Sequence, residues 1–255
     1  MSEKLIVVKV GTNVLTNKDN RISGPVLKEL VRQIAYLYEQ DIMTILISSG
    51  ANIAGQEILS EISAKDKKTR QQVYSTVGQP RLMRLYYNHF HHFGMRCSQI
   101  LATKNDFDPG AHRENLLNCY KGLLKEGITP ITNEDDAISV KSMFSDNDEL
   151  ASWVAELLEA DKMILLTDTD GLYNGDPNAE HTEKFSKVKV NQNVEKYVQP
   201  STKKEGEGRG GMESKLKIAK RTAAKGITTI ITNGNNNNAI VDIIEGKDIG
   251  TKFVK

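Results

Sequence analysis

Two lysines in the sequence occupy positions that favour binding of an anion. Lys9 ends a run of apolar, mostly β-branched residues at positions 5–8, and Gly11 follows closely. Such a run predicts a strand buried on both faces of a parallel sheet, where an ammonium group needs an anionic partner. The alternative is a lysine whose ammonium group reaches solvent at the strand end. This segment by itself leaves both interpretations open.

The second lysine, Lys215, lies in the first turn of a predicted helix, shortly after Gly210 and Gly211. A lysine is unfavourable near the positive end of a helix dipole, so this position favours a bound anion that offsets its charge. A solvated surface lysine is the alternative. The chain has no Walker-type G-x-x-x-x-G-K-[ST] motif, and a phosphate site here would therefore be of another design.

Together with nearby carboxylates, the two lysines suit phosphoryl transfer. That reaction depends mainly on charge stabilisation and needs little covalent help from the protein. The lysines would hold the transferring phosphoryl group, and Asp146 and Asp148 would orient them. Asn147 and Asp136 would hold the polar end of an acceptor. Helix capping is the alternative role for the acidic segment, although capping does not require all three residues 146–148.

Alternating strands and helices are predicted to position these residues. The predicted strands are 5–9, 42–47, 97–102, 128–132, 163–166 and 228–231, and residues 249–254 close the chain. The predicted helices are 23–39, 53–59, 71–93, 113–125, 145–159 and 212–225. Residues 60–70 are expected to be exposed, 137–144 to form a small hairpin, and 178–200 receive no assignment. The alternation predicts an α/β fold whose mainly parallel sheet is covered by helices on both faces.

Parallel strands bring their carboxyl ends to one edge of the sheet, which is where ligands bind in such folds. Four predicted strands end in small or polar residues, at 9–11, 48–50, 133–136 and 167–168. Glycines and hydroxyl residues there expose backbone N–H groups to an anion. Ordinary loop chemistry is the alternative for any one turn, but four turns on one edge favour a ligand site.

Composition excludes several classes of protein. The 34 lysines and arginines nearly balance the 33 acidic residues, which gives no reason to expect binding to nucleic acid or to a membrane. Cys97 and Cys119 are widely separated, which argues against a disulfide framework and structural zinc, and we expect both to be buried. No signal peptide or long apolar segment is evident, so a cytoplasmic protein is expected. The spacing of His89, His91 and His92 does not favour a metal site.

A series of short motifs relates the chain to a known family. In order, the motifs are Val7-Val8-Lys9-Val10-Gly11-Thr12, Ser48-Ser49-Gly50-Ala51, Val77-Gly78-Gln79, Asn133-Glu134-Asp135-Asp136-Ala137, Asp146-Asn147-Asp148, Leu165-Leu166-Thr167-Asp168 with Gly171-Leu172-Tyr173, Asp176-Pro177, and Gly210-Gly211-Met212 with Lys215. With these motifs the sequence resembles the amino acid kinase family over essentially its whole length. Within the family it is most similar to members that phosphorylate glutamate.

This resemblance implies a three-layer αβα sandwich formed by residues 1–255 as one catalytic domain. L-glutamate would bind over its N-terminal half, and ATP with Mg²⁺ over its C-terminal half. The implied product is γ-glutamyl phosphate, in the first step of proline biosynthesis. The resemblance also implies a homodimer or homotetramer and feedback inhibition by proline. Many family members carry a C-terminal PUA domain, and the end of this chain at Lys255 leads us to expect the catalytic domain alone.

The same resemblance assigns roles to individual residues. The residues assigned to catalysis are Lys9, Lys215 and Asp148. Those assigned to glutamate are Ser49, Gly50, Ala51, Asp136 and Asn147. Those assigned to ATP are Lys9, Gly11, Thr167, Asp168, Arg209, Gly210, Gly211, Met212 and Lys215. Magnesium would arrive with the nucleotide and needs no protein ligand. Asp135 departs from the family pattern, which usually has asparagine there, and adds a negative charge beside the glutamate site.

Two alternatives remain open from the sequence. The chain could phosphorylate another acceptor, such as acetylglutamate, aspartate, carbamate or a nucleoside monophosphate, because fold alone does not decide the acceptor. It could also be a regulatory module that binds ATP or an amino acid without catalysis. The presence of both lysines and of the Asp-Asn-Asp motif argues against the second alternative, because binding alone does not require groups that stabilise a transition state.

Overall fold

The computed structural model describes residues 4–139, 147–176, 179, 181–198 and 211–255. The strands are β1 (Lys4–Val10), β2 (Ile42–Ser48), β3 (Arg96–Ala102), β4 (Ile128–Glu134), β5 (Lys162–Thr167), β6 (Lys187–Lys189), β7 (Thr228–Asn233) and β8 (Thr251–Val254). The α-helices are α1 (Thr12–Leu15), α2 (Gly24–Glu39), α3 (Ala51–Gln56), α4 (Lys67–His92), α5 (Ala111–Lys125), α6 (Asn147–Leu157), α7 (Met212–Ala224) and α8 (Ala239–Ile244).

The strands form one sheet in the order β3-β4-β2-β1-β5-β7-β8-β6. All neighbouring strands are parallel except β7 and β8, which are antiparallel. From β1 the chain first builds the sheet on one side, through β2, β3 and β4, and then crosses to place β5 on the other side of β1. The carboxyl ends of β1 and β5 therefore flank a topological switch point, where ligands bind in open α/β sheets.

Helices cover both faces of this sheet. One face packs against α2, α4 and α8 through a core that includes Val8, Val10 and Leu166. The opposite face packs against α5, α6 and α7 through a core that includes Leu5 and Val7. This arrangement confirms the predicted α/β sandwich with a mainly parallel central sheet.

Alternation along β1 explains which face carries Lys9. Successive side chains of a strand point to opposite faces, so Lys9 shares the face of Leu5 and Val7. Lys9 is therefore directed towards the layer formed by α5, α6 and α7, and its side chain is almost completely buried.

A close contact between helix backbones joins α3 to α4. A Cβ added to Gly78 of α4 would lie 1.8 Å from the carbonyl oxygen of Ala51, and a Cβ added to Gly55 of α3 would lie 1.9 Å from the carbonyl oxygen of Tyr74. Only glycine permits two helices to approach so closely at these positions. This contact places the middle of α4 beside the first turn of α3.

The observed elements differ from the sequence predictions in several places. Helix α4 begins at Lys67, earlier than predicted, because the side chain of Asp66 caps it by accepting a 2.8 Å hydrogen bond from the backbone N–H of Thr69. The short elements β6 and α8 were not predicted. Cys97 is only half-buried and Cys119 is exposed, so the expectation that both are buried was wrong. Most of the predicted hairpin, from residue 140 on, lies outside the described residues.

Among the helices that the structure describes, none is long and apolar enough to cross a membrane.

Candidate active site

Two lysines and one aspartate form a buried charged centre at the switch point. The ammonium nitrogen of Lys9 lies 2.6 Å from Asp148 Oδ1, and that of Lys215 lies 2.8 Å from Asp148 Oδ2. Asp148 is fully buried, while Lys9 and Lys215 are 4% and 8% exposed. A buried carboxylate requires such compensation. The three residues predicted for catalysis are thus in direct contact, with both ammonium groups held by one carboxylate.

The environment of Asp148 keeps it ionised. Burial raises the pKa of this carboxyl group, but the charges of Lys9 and Lys215 and their hydrogen bonds outweigh burial and hold the pKa well below its usual range. The centre therefore places the ammonium groups of two lysines around one ionised carboxylate. Such ammonium groups suit the polyanionic phosphate groups of a nucleotide.

The N-terminal turns of two adjacent helices position Asp148 and Lys215 in this centre. Asp148 lies in the first turn of α6 and Lys215 in the first turn of α7. Farther along these helices, the hydroxyl groups of Ser152 and Thr222 share a buried 2.7 Å hydrogen bond. Helices α6 and α7 are thereby fixed side by side, and the two residues meet in front of the end of β1.

Beside this centre, Asn147 connects three strand ends. Its Nδ2 atom lies 3.0 Å from Ser49 Oγ, 3.3 Å from the carbonyl oxygen of Ser48 and 3.0 Å from Asn133 Oδ1. Asn133 Nδ2 in turn donates a 2.9 Å hydrogen bond to Gln79 Oε1. Predicted acceptor residues Ser49 and Asn147 are therefore in contact with each other and adjoin Asp148.

The turn that carries Ser49 depends on Gly50. This residue has φ +99°, in the left-handed region that favours glycine, and it immediately precedes α3. The predicted acceptor residues Gly50 and Ala51 thereby form the turn from β2 into α3. Ala51 also lines a small recess with Asp136, which is half-buried at the end of β4.

The predicted nucleotide residues lie on the other side of the switch point. The backbone N–H of Gly11 donates a 3.2 Å hydrogen bond to the carbonyl oxygen of Leu166, and a Cβ at Gly11 would lie 3.7 Å from Lys9 Nζ. Asp168 Oδ2 accepts a 2.9 Å hydrogen bond from Asn13 Nδ2. The Thr167 hydroxyl group donates to the other oxygen of Asp168 at 3.1 Å. Gly11, Thr167 and Asp168 thus converge beside Lys9.

The start of α7 supplies the remaining predicted nucleotide residues. Gly211 is the residue that precedes α7, and Met212 is its first residue. Arg209 and Gly210 lie outside the described residues, as does Asp146 of the acidic motif. Their predicted roles therefore stay predictions.

Sequence reasoning assigned no role to three residues that this site contains. Asn133 and Gln79 are buried and hydrogen-bonded to each other, and Asn13 holds Asp168. Both Asn133 and Gln79 belong to motifs that carry the family resemblance, and these motifs are the sequence signal that could have identified the two residues. Their contact joins β4 to α4, which no local pattern reveals.

Comparison with known proteins agrees with this fold. Residues 4–233 match the amino acid kinase family. Carbamate kinase from Giardia lamblia, solved with AMP-PNP, superposes with a TM-score of 0.71 at 15% identity, covering 100% of this chain and 99% of that one. UMP kinase from Bacillus anthracis gives a TM-score of 0.69 at 14% identity, covering 98% and 96%. At such identities the two structures support the fold alone. The chain belongs to the amino acid kinase family.

Relatives found by sequence similarity identify a group within this family. Glutamate 5-kinase from Bacteroides thetaiotaomicron is 38% identical over 98% of this chain and 69% of its own length. Glutamate 5-kinase from Alkaliphilus oremlandii is 34% identical over 99% of this chain and 96% of its own length. The predicted resemblance is confirmed, and within the family the chain groups with the glutamate 5-kinases.

Proposed function

We propose that this chain transfers the γ-phosphoryl group of ATP to the γ-carboxylate of L-glutamate. The products are γ-glutamyl phosphate and ADP, in the first step of proline biosynthesis. The names of relatives at 34–38% identity over nearly the whole chain support the substrate. The observation that carries the chemistry is the buried centre in which Lys9 and Lys215 share Asp148.

The centre performs this reaction by stabilising charge. The γ-carboxylate of glutamate attacks the γ-phosphorus in line, the bond to the β,γ-bridging oxygen breaks, and ADP leaves. Negative charge spreads over the transferring group and the leaving oxygen, and the ammonium groups of Lys9 and Lys215 neutralise it. The attacking carboxylate is already ionised at neutral pH, so no general base is required. Asp148 orients both ammonium groups.

Each substrate has its own side of the switch point in this proposal. L-glutamate lies over the N-terminal half, at Ser49, Gly50, Ala51, Asp136 and Asn147. ATP lies over the C-terminal half, at Gly11, Thr167, Asp168, the segment 209–212 and the two lysines. Mg²⁺ would arrive with ATP and be held largely by phosphate oxygens, which are ligands that it prefers. The proposal includes a cytoplasmic homodimer or homotetramer that proline inhibits.

A panel of acceptors tests the proposed substrate. Purified protein is incubated with Mg-ATP, hydroxylamine and one acceptor at a time: L-glutamate, N-acetyl-L-glutamate, L-aspartate or carbamate. Hydroxylamine traps an acyl phosphate as a hydroxamate. A parallel assay measures ADP release and includes UMP as a further acceptor. We expect ATP-dependent γ-glutamyl hydroxamate with L-glutamate and less product with added proline. Turnover with any other acceptor but none with L-glutamate would refute the proposed substrate.

A further inference from the structure

Gln79 presents a buried hydrogen-bond donor that the described residues leave unused. The residue lies on α4 and is 6% exposed. Its Oε1 atom accepts from Asn133 Nδ2, whereas its buried Nε2 atom has no hydrogen-bond partner among the residues that the structure describes. A buried polar group without a partner is costly and therefore uncommon in native proteins. Beside the predicted acceptor site, such a group is available to hydrogen-bond a bound substrate.

Backbone groups fix which amide atom of Gln79 remains unused. The backbone N–H of Glu134 donates a 2.9 Å hydrogen bond to Asn133 Oδ1, so that atom must be the oxygen. Asn133 consequently directs its NH₂ group at Gln79, and Gln79 must direct its oxygen at Asn133. The unused end of Gln79 is therefore its NH₂ group.

The same argument applies to Asn147, which is hydrogen-bonded to Asn133 and begins an amide chain that continues to Gln79. The carbonyl oxygen of Ser48 accepts only from a donor, so it fixes the NH₂ group of Asn147. Asn147 Oδ1 is buried and has no partner in the described part of the chain. The hydrogen bonds of the amide chain Asn147–Asn133–Gln79 therefore all run in the same direction. This leaves an unused acceptor, Asn147 Oδ1, near Asp148 and an unused donor, Gln79 Nε2, two hydrogen bonds away.

The surroundings of the spare donor fit the amino-acid end of a substrate. Gln79 lines the small recess at the end of β4 together with Glu134, Asp135 and Asp136. The carboxylate of Asp135 attracts an ammonium group, and the Gln79 N–H suits a carboxylate bonded to the same carbon. An α-amino acid carries both groups on its α-carbon. The contact of Gly78 with Ala51 holds this part of α4 against the start of α3, so the donor is fixed in place.

We propose that Gln79 determines specificity by donating its Nε2–H to the α-carboxylate of the acceptor. This inference rests on the proposed function, in which the γ-carboxylate must reach Lys9 and Lys215. Because Gln79 lies at the end of the amide chain away from Asp148, it meets the opposite end of glutamate. Gln79 thereby selects acceptors that keep a free α-carboxylate.

The substitution Gln79→Glu tests this assignment at pH 8. It keeps the oxygen that accepts from Asn133 and replaces the donor by a carboxylate oxygen. The two acceptors are L-glutamate and L-isoglutamine, whose α-carboxylate is replaced by an amide that can donate. We expect kcat/KM for L-glutamate to fall about a hundredfold, because a charged hydrogen bond becomes a like-charge contact. The ratio of kcat/KM for L-isoglutamine to that for L-glutamate should rise at least about tenfold.

Further variants separate recognition from a purely structural effect. Gln79→Met removes the donor without adding charge, and it should shift the same ratio in the same direction by a smaller factor. Gln40→Glu makes the same change at the exposed end of α2 and should leave the ratio unchanged. Where L-isoglutamine turns over too slowly, its inhibition constant against L-glutamate replaces kcat/KM. Thermal melting confirms that each variant is folded.

The outcomes distinguish this inference from the proposed function. If parent protein phosphorylates L-glutamate but both Gln79 variants lower kcat/KM for the two acceptors by the same factor, Gln79 only supports Asn133 and the inference is wrong. If parent protein does not phosphorylate L-glutamate, the proposed function itself fails. A rise in the ratio with Gln79→Glu supports the assignment.

Discussion

Replacing Asp148 with asparagine should lower kcat by about a thousandfold, towards the upper end of the range for removing one group that stabilises a transition state. The reason is that this single carboxylate orients both ammonium groups, at 2.6 and 2.8 Å. Asparagine has nearly the same shape but no charge, and its amide nitrogen cannot accept a hydrogen bond from a lysine. The rate of hydroxamate formation from L-glutamate at saturating Mg-ATP measures this loss.

The same variant should also be less stable. Removing one partner from a buried ionic group costs about 3–5 kcal/mol, because the remaining charges lose part of their compensation. The pKa of Asp148 is lower in the folded protein than in the unfolded chain, so its stabilising contribution is fully present above about pH 4 and is lost as the pH falls further. The stability difference between parent and variant should therefore be constant near neutral pH and shrink in acid.

Asp19→Asn is the matched control for Asp148, since Asp19 is exposed in the turn before α2. It should alter neither kcat nor the denaturant midpoint measurably. A folded Asp148→Asn variant with parental kcat would show that the carboxylate does not organise the lysines.

Replacing Gly78 with alanine should destabilise the protein by about 3 kcal/mol or more, at the upper end of the range for overpacking. The added Cβ would lie 1.8 Å from the carbonyl oxygen of Ala51 and 2.3 Å from the backbone nitrogen of Gly55. Both obstacles are backbone atoms, so no rotation of a side chain relieves the clash. Helices α3 and α4 must separate, and the free energy of unfolding from urea titration should fall accordingly.

Gly122→Ala provides a matched control on another helix. Gly122 lies in α5, and nothing in the described residues comes within 4 Å of an added Cβ there. Alanine should stabilise this helix by about 0.5–1 kcal/mol, because it loses less backbone entropy than glycine. Equal stability of the Gly78 and Gly122 variants would contradict the close contact between α3 and α4.

Local patterns predicted the parts of the fold that depend on local physics. The apolar run before Lys9 predicted β1, and Ser23 with Pro25 predicted the start of α2, where Ser23 Oγ accepts from the backbone N–H of Val26. Where the pattern was weak, the prediction was wrong. The charged residues after Asp66 resemble a loop, so the predicted helix began at residue 71 and did not include the aspartate cap that starts α4.

The site was predictable by residue type but not by geometry. Lys9 and Lys215 were each identified from their position relative to glycines, whereas their shared contact with Asp148 depends on how α6 and α7 pack together. The amide chain from Asn147 to Gln79 joins α6, β4 and α4. Contacts between distant segments of this kind are set by tertiary packing, which hydrophobic periodicity does not encode.

The turnover of Lys9→Met is the most direct test of the account. Steady-state kinetics with L-glutamate and Mg-ATP should show kcat lowered about a hundredfold, equivalent to about 3 kcal/mol of transition-state stabilisation, with the KM for L-glutamate within a few fold of parent. Lys215→Met should behave in the same way. Lys217→Met, on an exposed position of the same helix as Lys215, should retain parental kcat. Parental kcat in a folded Lys9→Met variant would contradict the assignment of the buried lysine pair to phosphoryl transfer.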